Sequence, residues 1–138
     1  MELGKAILFK IKNMNCEFRI LRETDVSHDY VNGLKDQKIY IENISIHVSV
    51  SSQKKYINDI LSSKNDTIGG LFINNELVGT AGVQSSTSYS QYIEIPAEYV
   101  ASIGIFLFNK GYRGMGLGKT LVWSATYLCH NAIQADWF

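Results

Sequence analysis

The stretch GYRGMGLGKT, residues 111–120, places four glycines and two cations within ten positions. The apolar run EYVASIGIFLF (98–108) leads almost directly into it and reads as a strand. GKTLVWSATYLCHN (118–131) follows as a helix, with Leu121, Val122, Ala125 and Leu128 on its inner face. Strand, glycine loop and helix in succession gather unpaired backbone N–H groups at the positive end of a helix dipole. Such a place suits an anion, a phosphate above all. The plainer reading is that the glycines only make a tight turn from strand to helix.

The rest of the chain supplies the frame for this unit. EFRILR (17–22) alternates as a strand, with Phe18 and Ile20 on one face. TDVSHDYVNGLKD (24–36) reads as a helix capped by Thr24 or Asp25, with Val26, Tyr30, Val31 and Leu34 at helical spacing. SSQKKYINDILSSKND (51–66) reads as a second helix, capped by Ser51 or Ser52 and buried along Tyr56, Ile57, Ile60 and Leu61. TIGGLFINNELVGTAGVQSST (67–87) is an antiparallel hairpin turning at Asn74, Asn75 and Glu76. The segment 38–47 has no clear period. The expected order is strand, two helices, hairpin, strand, glycine loop, helix.

Composition bounds the partners. The 138 residues make one domain, and thirteen cations balance thirteen anions, which gives no reason to expect nucleic acid or an anionic membrane. The longest apolar run, 103–108, is too short to span a bilayer, and residues 1–9 carry no signal-peptide pattern. Cys16 and Cys129 stand far apart and the three His are scattered, so neither a metal site nor a disulfide framework is indicated. A cytoplasmic protein with free thiols is the expectation.

Two well-known phosphate loops fail on spacing. The P-loop pattern GxxxxGK[ST] fits at Gly118-Lys119-Thr120, but its first glycine falls on Arg113. The dinucleotide pattern GxGxxG fits Gly114 and Gly116, then meets Lys119 where its last glycine should be. The pattern [Q/R]-x-x-G-x-[G/A] does fit, as Arg113-Gly114-Met115-Gly116-Leu117-Gly118. This resembles the acetyl-coenzyme A loop of the GCN5-related N-acetyltransferases, the GNAT superfamily, whose element order is the one read above. The flanking segments RILRETDVSHDYVNGLKD, SQKKYINDIL, ELVGTAGV and SIGIFLFNKGYRGMGLGKTLVWSATYL resemble the branch of ribosomal-protein and amino-sugar acetyltransferases. The likeness covers roughly residues 17 to 130.

The resemblance implies an α+β GNAT fold, a mixed but mostly antiparallel sheet flanked by helices, in a single domain over 1–138. It implies acetyl-coenzyme A as cosubstrate, and transfer of the acetyl group to a primary amine of a small molecule, an amino-sugar or a protein N-terminus. Arg113, Gly114, Met115, Gly116, Leu117, Gly118 and Lys119 would hold the pyrophosphate. Backbone of Phe106, Leu107 and Phe108 would pair with the pantetheine arm, and an amide near Ile105 would polarise the thioester carbonyl.

Two departures stand out. Ser102 occupies the position where that branch often carries an acidic residue. Glu98, on the same strand face, or Glu94 would then act as general base, directly or through a water; the plainer reading makes either a solvated strand-end carboxylate. Secondly, only AIQADWF follows the last helix. That leaves room for a short version of the family's next strand; its following helix with the tyrosine acid and its terminal hairpin have no counterpart, and neither Tyr112 nor Tyr127 sits in the acid position. A domain truncated in this way is expected to self-associate through its exposed sheet edge. The alternative function is a non-catalytic remnant that binds coenzyme A or a partner chain.

Overall fold

The computed structural model describes residues 6–37, 49–63, 66–85 and 101–131. Two pairs of left-handed residues organise its sheet: Lys12 with Asn13, at φ 48° and 69°, and Asn74 with Asn75, at φ 49° and 68°. Paired positive φ values make the two-residue turn whose twist matches that of antiparallel strands, and Asn tolerates the conformation better than most residues. The first turn joins β1 (Ile7–Ile11) to β2 (Met14–Ile20), and the second joins β3 (Asp66–Ile73) to β4 (Glu76–Ser85). The Asn74 amide also donates to the Asn15 carbonyl at 2.9 Å, tying the two hairpins together. With β5 (Ala101–Leu107) the strands form one antiparallel sheet in the order β1-β2-β3-β4-β5.

Helices α1 (His28–Gln37) and α2 (Val50–Ser62) lie between β2 and β3 in the chain, and α3 (Leu117–Asn131) follows β5. Strand alternation divides the apolar residues between two faces. Phe18, Leu71, Ile73, Ala81 and Val83 meet Leu117, Leu121 and Ala125 of α3 on one side. Ile68, Phe72 and Phe108 meet Tyr30, Val31 and Ile57 on the other. Each fully buried aliphatic or aromatic side chain contributes about 1.5–3 kcal/mol, so both layers of helix are held by several such groups. The α+β class and the GNAT-like order expected from sequence are what the chain forms.

Local details differ from the sequence reading, each for an identifiable reason. Strand β1 and its turn are additional to the expected elements. Helix α1 starts after Ser27, whose hydroxyl accepts the Tyr30 amide at 3.2 Å, and not at Thr24 or Asp25. Asp25 is unavailable as a cap because Arg19 holds its carboxylate through two bonds of 2.7 Å, and the Arg22 amide adds a third of 2.8 Å. Helix α2 starts after Ser49, in a reciprocal capping box with Ser52. Its buried stripe is narrow: Ile57 is fully buried, whereas Tyr56 and Leu61 are exposed. On α3 it is Leu117, Leu121, Ser124 and Ala125 that turn inward, and Val122 is 41% exposed. The side chain of Leu128 lies outside the described residues, as does Asn65.

The Arg19–Asp25 pair gives the fold a predictable acid response. The Arg19 guanidinium also lies 4.2 Å from the Phe72 ring centre, so the pair is seated on apolar surface. Burial pushes the Asp25 pKa up, but the hydrogen bonds from Arg19 and the Arg22 amide outweigh it, and the value falls below the ordinary 3.8. A depressed folded-state pKa stabilises fully above the unfolded value, and that contribution is lost as pH falls through the folded one. Arg19→Met is therefore expected to lower the urea midpoint at pH 7, with the gap to wild type shrinking as pH drops below the usual carboxylate range. A gap that stays constant from pH 7 to pH 2.5 would show that the pair adds nothing through ionisation.

Candidate functional site: the loop between strand β5 and helix α3

β5 pairs with β4 from Ser85↔Ala101 to Gly79↔Leu107, and the chain then leaves the sheet. A Cβ built on Gly79 would come within 2.9 Å of the Phe106 carbonyl oxygen, and one on Gly82 within 3.9 Å of that of Gly104. Those carbonyls therefore face β4. Backbone direction alternates along an antiparallel strand, so the amides of Ile103, Ile105 and Leu107 turn to the opposite side. Of the segment 106–108 singled out from sequence, the Leu107 amide is the one turned away from β4, while the Phe106 backbone faces it. Phe108 is buried under α1, edge-on to Tyr30 at 5.3 Å between ring centres. Burial, with Tyr56 nearby, pushes the Tyr30 phenol to about 12, so it stays neutral at working pH.

A short 3₁₀ turn, Lys110–Tyr112, follows, and then the glycines. Gly114 and Gly116 have φ +81° and +77°. Each alternates with an anchored residue: Met115 packs partly against the core and Leu117 is 1% exposed. The loop is thus pinned from below by two apolar side chains and bare on its upper surface. A Cβ placed on Gly114, Gly116 or Gly118 would meet nothing within 4 Å. Helix α3 opens at Leu117 with no acidic residue in its first turn, so no carboxylate of its own answers the helix dipole. Arg113 and Lys119 are both exposed beside this opening.

Arg113 through Lys119 thus form an open run of backbone, flanked by two exposed cations, at the amino end of α3, and exposed N–H groups at such a place suit phosphate oxygens. Ser102 lies opposite Gln84 in the β4–β5 register, five residues before Leu107 and so about 17 Å along the strand at 3.3–3.4 Å per residue. Glu98 and Glu94 lie outside the described residues. Among the described residues no cluster of His, Cys, Asp or Glu could hold a metal, and no helix is long and apolar enough to cross a membrane.

Asn109 lies outside the glycine pattern. Its Oδ1 accepts the Gly111 amide at 3.0 Å, its Nδ2 donates to Glu76 Oε1 at 3.0 Å, its own amide donates to the Val78 carbonyl at 3.3 Å, and its carbonyl accepts the Tyr112 amide at 3.2 Å. An Asn two residues before a Gly at a strand end is a turn signal, and that was its trace in the sequence.

The sheet, the helix layers and this loop together define an acetyltransferase-type fold. The chain matches the Acetyltransferase (GNAT) family over residues 31–135, and it belongs to that family. No curated protein sequence matches it. Among solved structures it resembles Mycobacterium smegmatis RimJ in complex with CoA-disulfide, with TM-score 0.72 and 13% identity over 97% of this chain and 65% of that one. It also resembles RimL, a ribosomal-protein acetyltransferase, with TM-score 0.65 and 14% identity over 96% and 69%. An aminoglycoside acetyltransferase in complex with coenzyme A gives TM-score 0.63 and 22% identity over 87% and 70%. These likenesses establish the fold. The chain spans about two-thirds of the length of these structures.

Proposed function

We propose that this protein binds acetyl-coenzyme A at the β5–α3 loop and transfers its acetyl group to a primary amine. The observation that carries the reading is the pair of left-handed glycines, Gly114 and Gly116, bare on the surface beside the amino end of α3. Only a backbone without side chains lets phosphate oxygens reach the amides there. Family membership supports the reaction type, and the coenzyme A in related folds supports the ligand.

The residues fit the group in a consistent way. Loop amides from Gly114 to Gly118, with Arg113 and Lys119 adding charge, would take the pyrophosphate. The Leu107 and Ile105 amides, turned away from β4, are the ones free to pair with the pantetheine arm and to hold the thioester carbonyl. When bound, the cosubstrate supplies an activated acetyl thioester. The chain's own part is to fix that thioester along β5 and to place an amine beside it. Glu98 or Glu94, which precede β5 in the chain, or Ser102, its second residue, are the proposed routes for the amine's proton. The acceptor belongs to the class of primary amines: a small amine, an amino-sugar or a protein N-terminus.

Thermal unfolding with candidate ligands tests this directly. A ligand at one hundred times its dissociation constant adds about 2.7 kcal/mol. That raises Tm by roughly 9 °C for a domain of this size. Acetyl-coenzyme A is expected to give such a rise, and ATP with magnesium to give none. A rise with ATP alone would return the loop to nucleotide binding and end the acetyltransferase reading.

A further inference from the structure

We infer that Asn109 is a positioning residue for the cofactor loop, and that through Glu76 it couples the loop to the β3–β4 hairpin. The inference rests on the coenzyme A reading above and extends it to a residue outside the glycine pattern. Asn109 is the first residue past Phe108, where the chain has left the sheet and has not yet reached the glycines. Four hydrogen bonds converge on it, and they point in three directions. The amide bond to Val78 holds it to the point where the β3–β4 register shifts, between Leu71 and Phe72, so that Val78 is the extra residue of β4. The Nδ2 bond reaches Glu76, the first residue after the Asn74-Asn75 turn. The Oδ1 and carbonyl bonds hold the amides of Gly111 and Tyr112 and so set the course of the chain into Arg113 and Gly114.

The side chain does what backbone pairing does elsewhere. The β4–β5 register ends at Leu107, and after the Asn109 amide bond to Val78 no further backbone bond to β4 is seen among the described residues, yet the loop amides must present a fixed set of donors if they are to bind an anion well. Asn offers an acceptor and a donor on one planar group, so one side chain can hold Gly111 on one side and Glu76 on the other. Alanine offers neither. Aspartate keeps the acceptor for Gly111 but turns a second carboxylate toward Glu76.

The test compares wild type with Asn109→Ala, Asn109→Asp and the double variant Glu76→Gln/Asn109→Asp. Three quantities are measured: the dissociation constant for coenzyme A by calorimetry, Tm without ligand, and amide hydrogen exchange at Gly111 and Tyr112. Asn109→Ala is expected to speed exchange at both amides and to weaken coenzyme A about tenfold, the worth of roughly one hydrogen bond. Its ligand-free Tm should move little, because the Asn109–Glu76 pair is exposed. Asn109→Asp should fall between. The double variant should regain wild-type affinity, since the amide introduced at position 76 can donate to the new carboxylate. Unchanged affinity in Asn109→Ala would overturn the inference, as would a loss that follows Tm and is not rescued by the double variant. Wild type failing to bind coenzyme A at all would instead remove the functional reading, and this inference with it.

Discussion

Replacing Gly118 with valine is expected to leave the fold in place and to remove most coenzyme A binding. The reason lies in what surrounds each glycine of the loop. Gly114 and Gly116 carry positive φ, so any side chain there strains the backbone by about 1–2 kcal/mol before a ligand is considered. A loss of binding in Gly116→Val would therefore mix two causes. Gly118 has no such strain, lies in the first turn of α3, and a Cβ on it meets no protein atom within 4 Å. Valine there is even a slightly better helix former than glycine. Among the described residues nothing crowds that Cβ, so a ligand lying against the loop is what its methyls are expected to obstruct. Forcing such a contact costs about 1–3 kcal/mol, which weakens binding from about fivefold to more than a hundredfold. Calorimetry with coenzyme A, beside a urea titration without it, separates the two effects. Unaltered affinity in Gly118→Val would mean that phosphate does not approach this face and that the glycines serve as a turn.

How far the sequence carried these conclusions differs between the frame and the site. The β5–loop–α3 unit was readable because its signals are local: an apolar run, glycines at fixed offsets, then Leu117 and Leu121 at helical spacing. The Asn74-Asn75 hairpin was readable for the same reason. Strand β1 has local signals too, with Ile7, Phe9 and Ile11 alternating and Asn13 at the turn, but it is only five residues long and takes its place from pairing with β2. The helix starts failed through competition for the same side chains. Asp25 is an apt cap by composition, but a pairing with Arg19, six residues away on β2, claims it first. No local rule reveals that claim. Tyr56 and Val122 sit at apolar helical positions yet stay exposed, because spacing gives a stripe and not its width; that depends on how each helix lies on the sheet. Asn109 shows the same limit at the site. Its turn chemistry is local, but its partner Glu76 is thirty-three positions away.

Gly33 of α1 lies close against Phe108, just past the end of β5, and its replacement is expected to be costly out of proportion to the atoms added. A Cβ at this position of α1 would stand 2.5 Å from the Cβ of Phe108, and 3.0 Å from the ring atoms Cγ and Cδ2. The ring could swing aside; the Cβ cannot, since it is one bond from the backbone. Either α1 lifts from the sheet or the chain beyond Leu107 moves, and Phe108 is followed at once by Asn109. On helix propensity alone Gly33→Ala would stabilise by about 0.8–1 kcal/mol. Overpacking costs about 1–3 kcal/mol and opposes it, so the predicted net change is a loss of up to about 2 kcal/mol, from a total that for most domains is about 5–15 kcal/mol. Gly33→Val should lose more, because its branched side chain brings less of the propensity gain and more atoms. Gly82→Ala is the control: its Cβ meets only the Gly104 carbonyl at 3.9 Å, and the change should stay within about 0.5 kcal/mol. Phe108→Ala should fail to rescue Gly33→Ala, since the closest contact is between the two Cβ atoms and survives that truncation. Urea midpoints for the four variants decide the matter, and coenzyme A affinity should fall with stability in the Gly33 variants because the strand end carries the loop. A Gly33→Ala protein more stable than wild type, with full affinity, would show that α1 does not bear on β5 at this point.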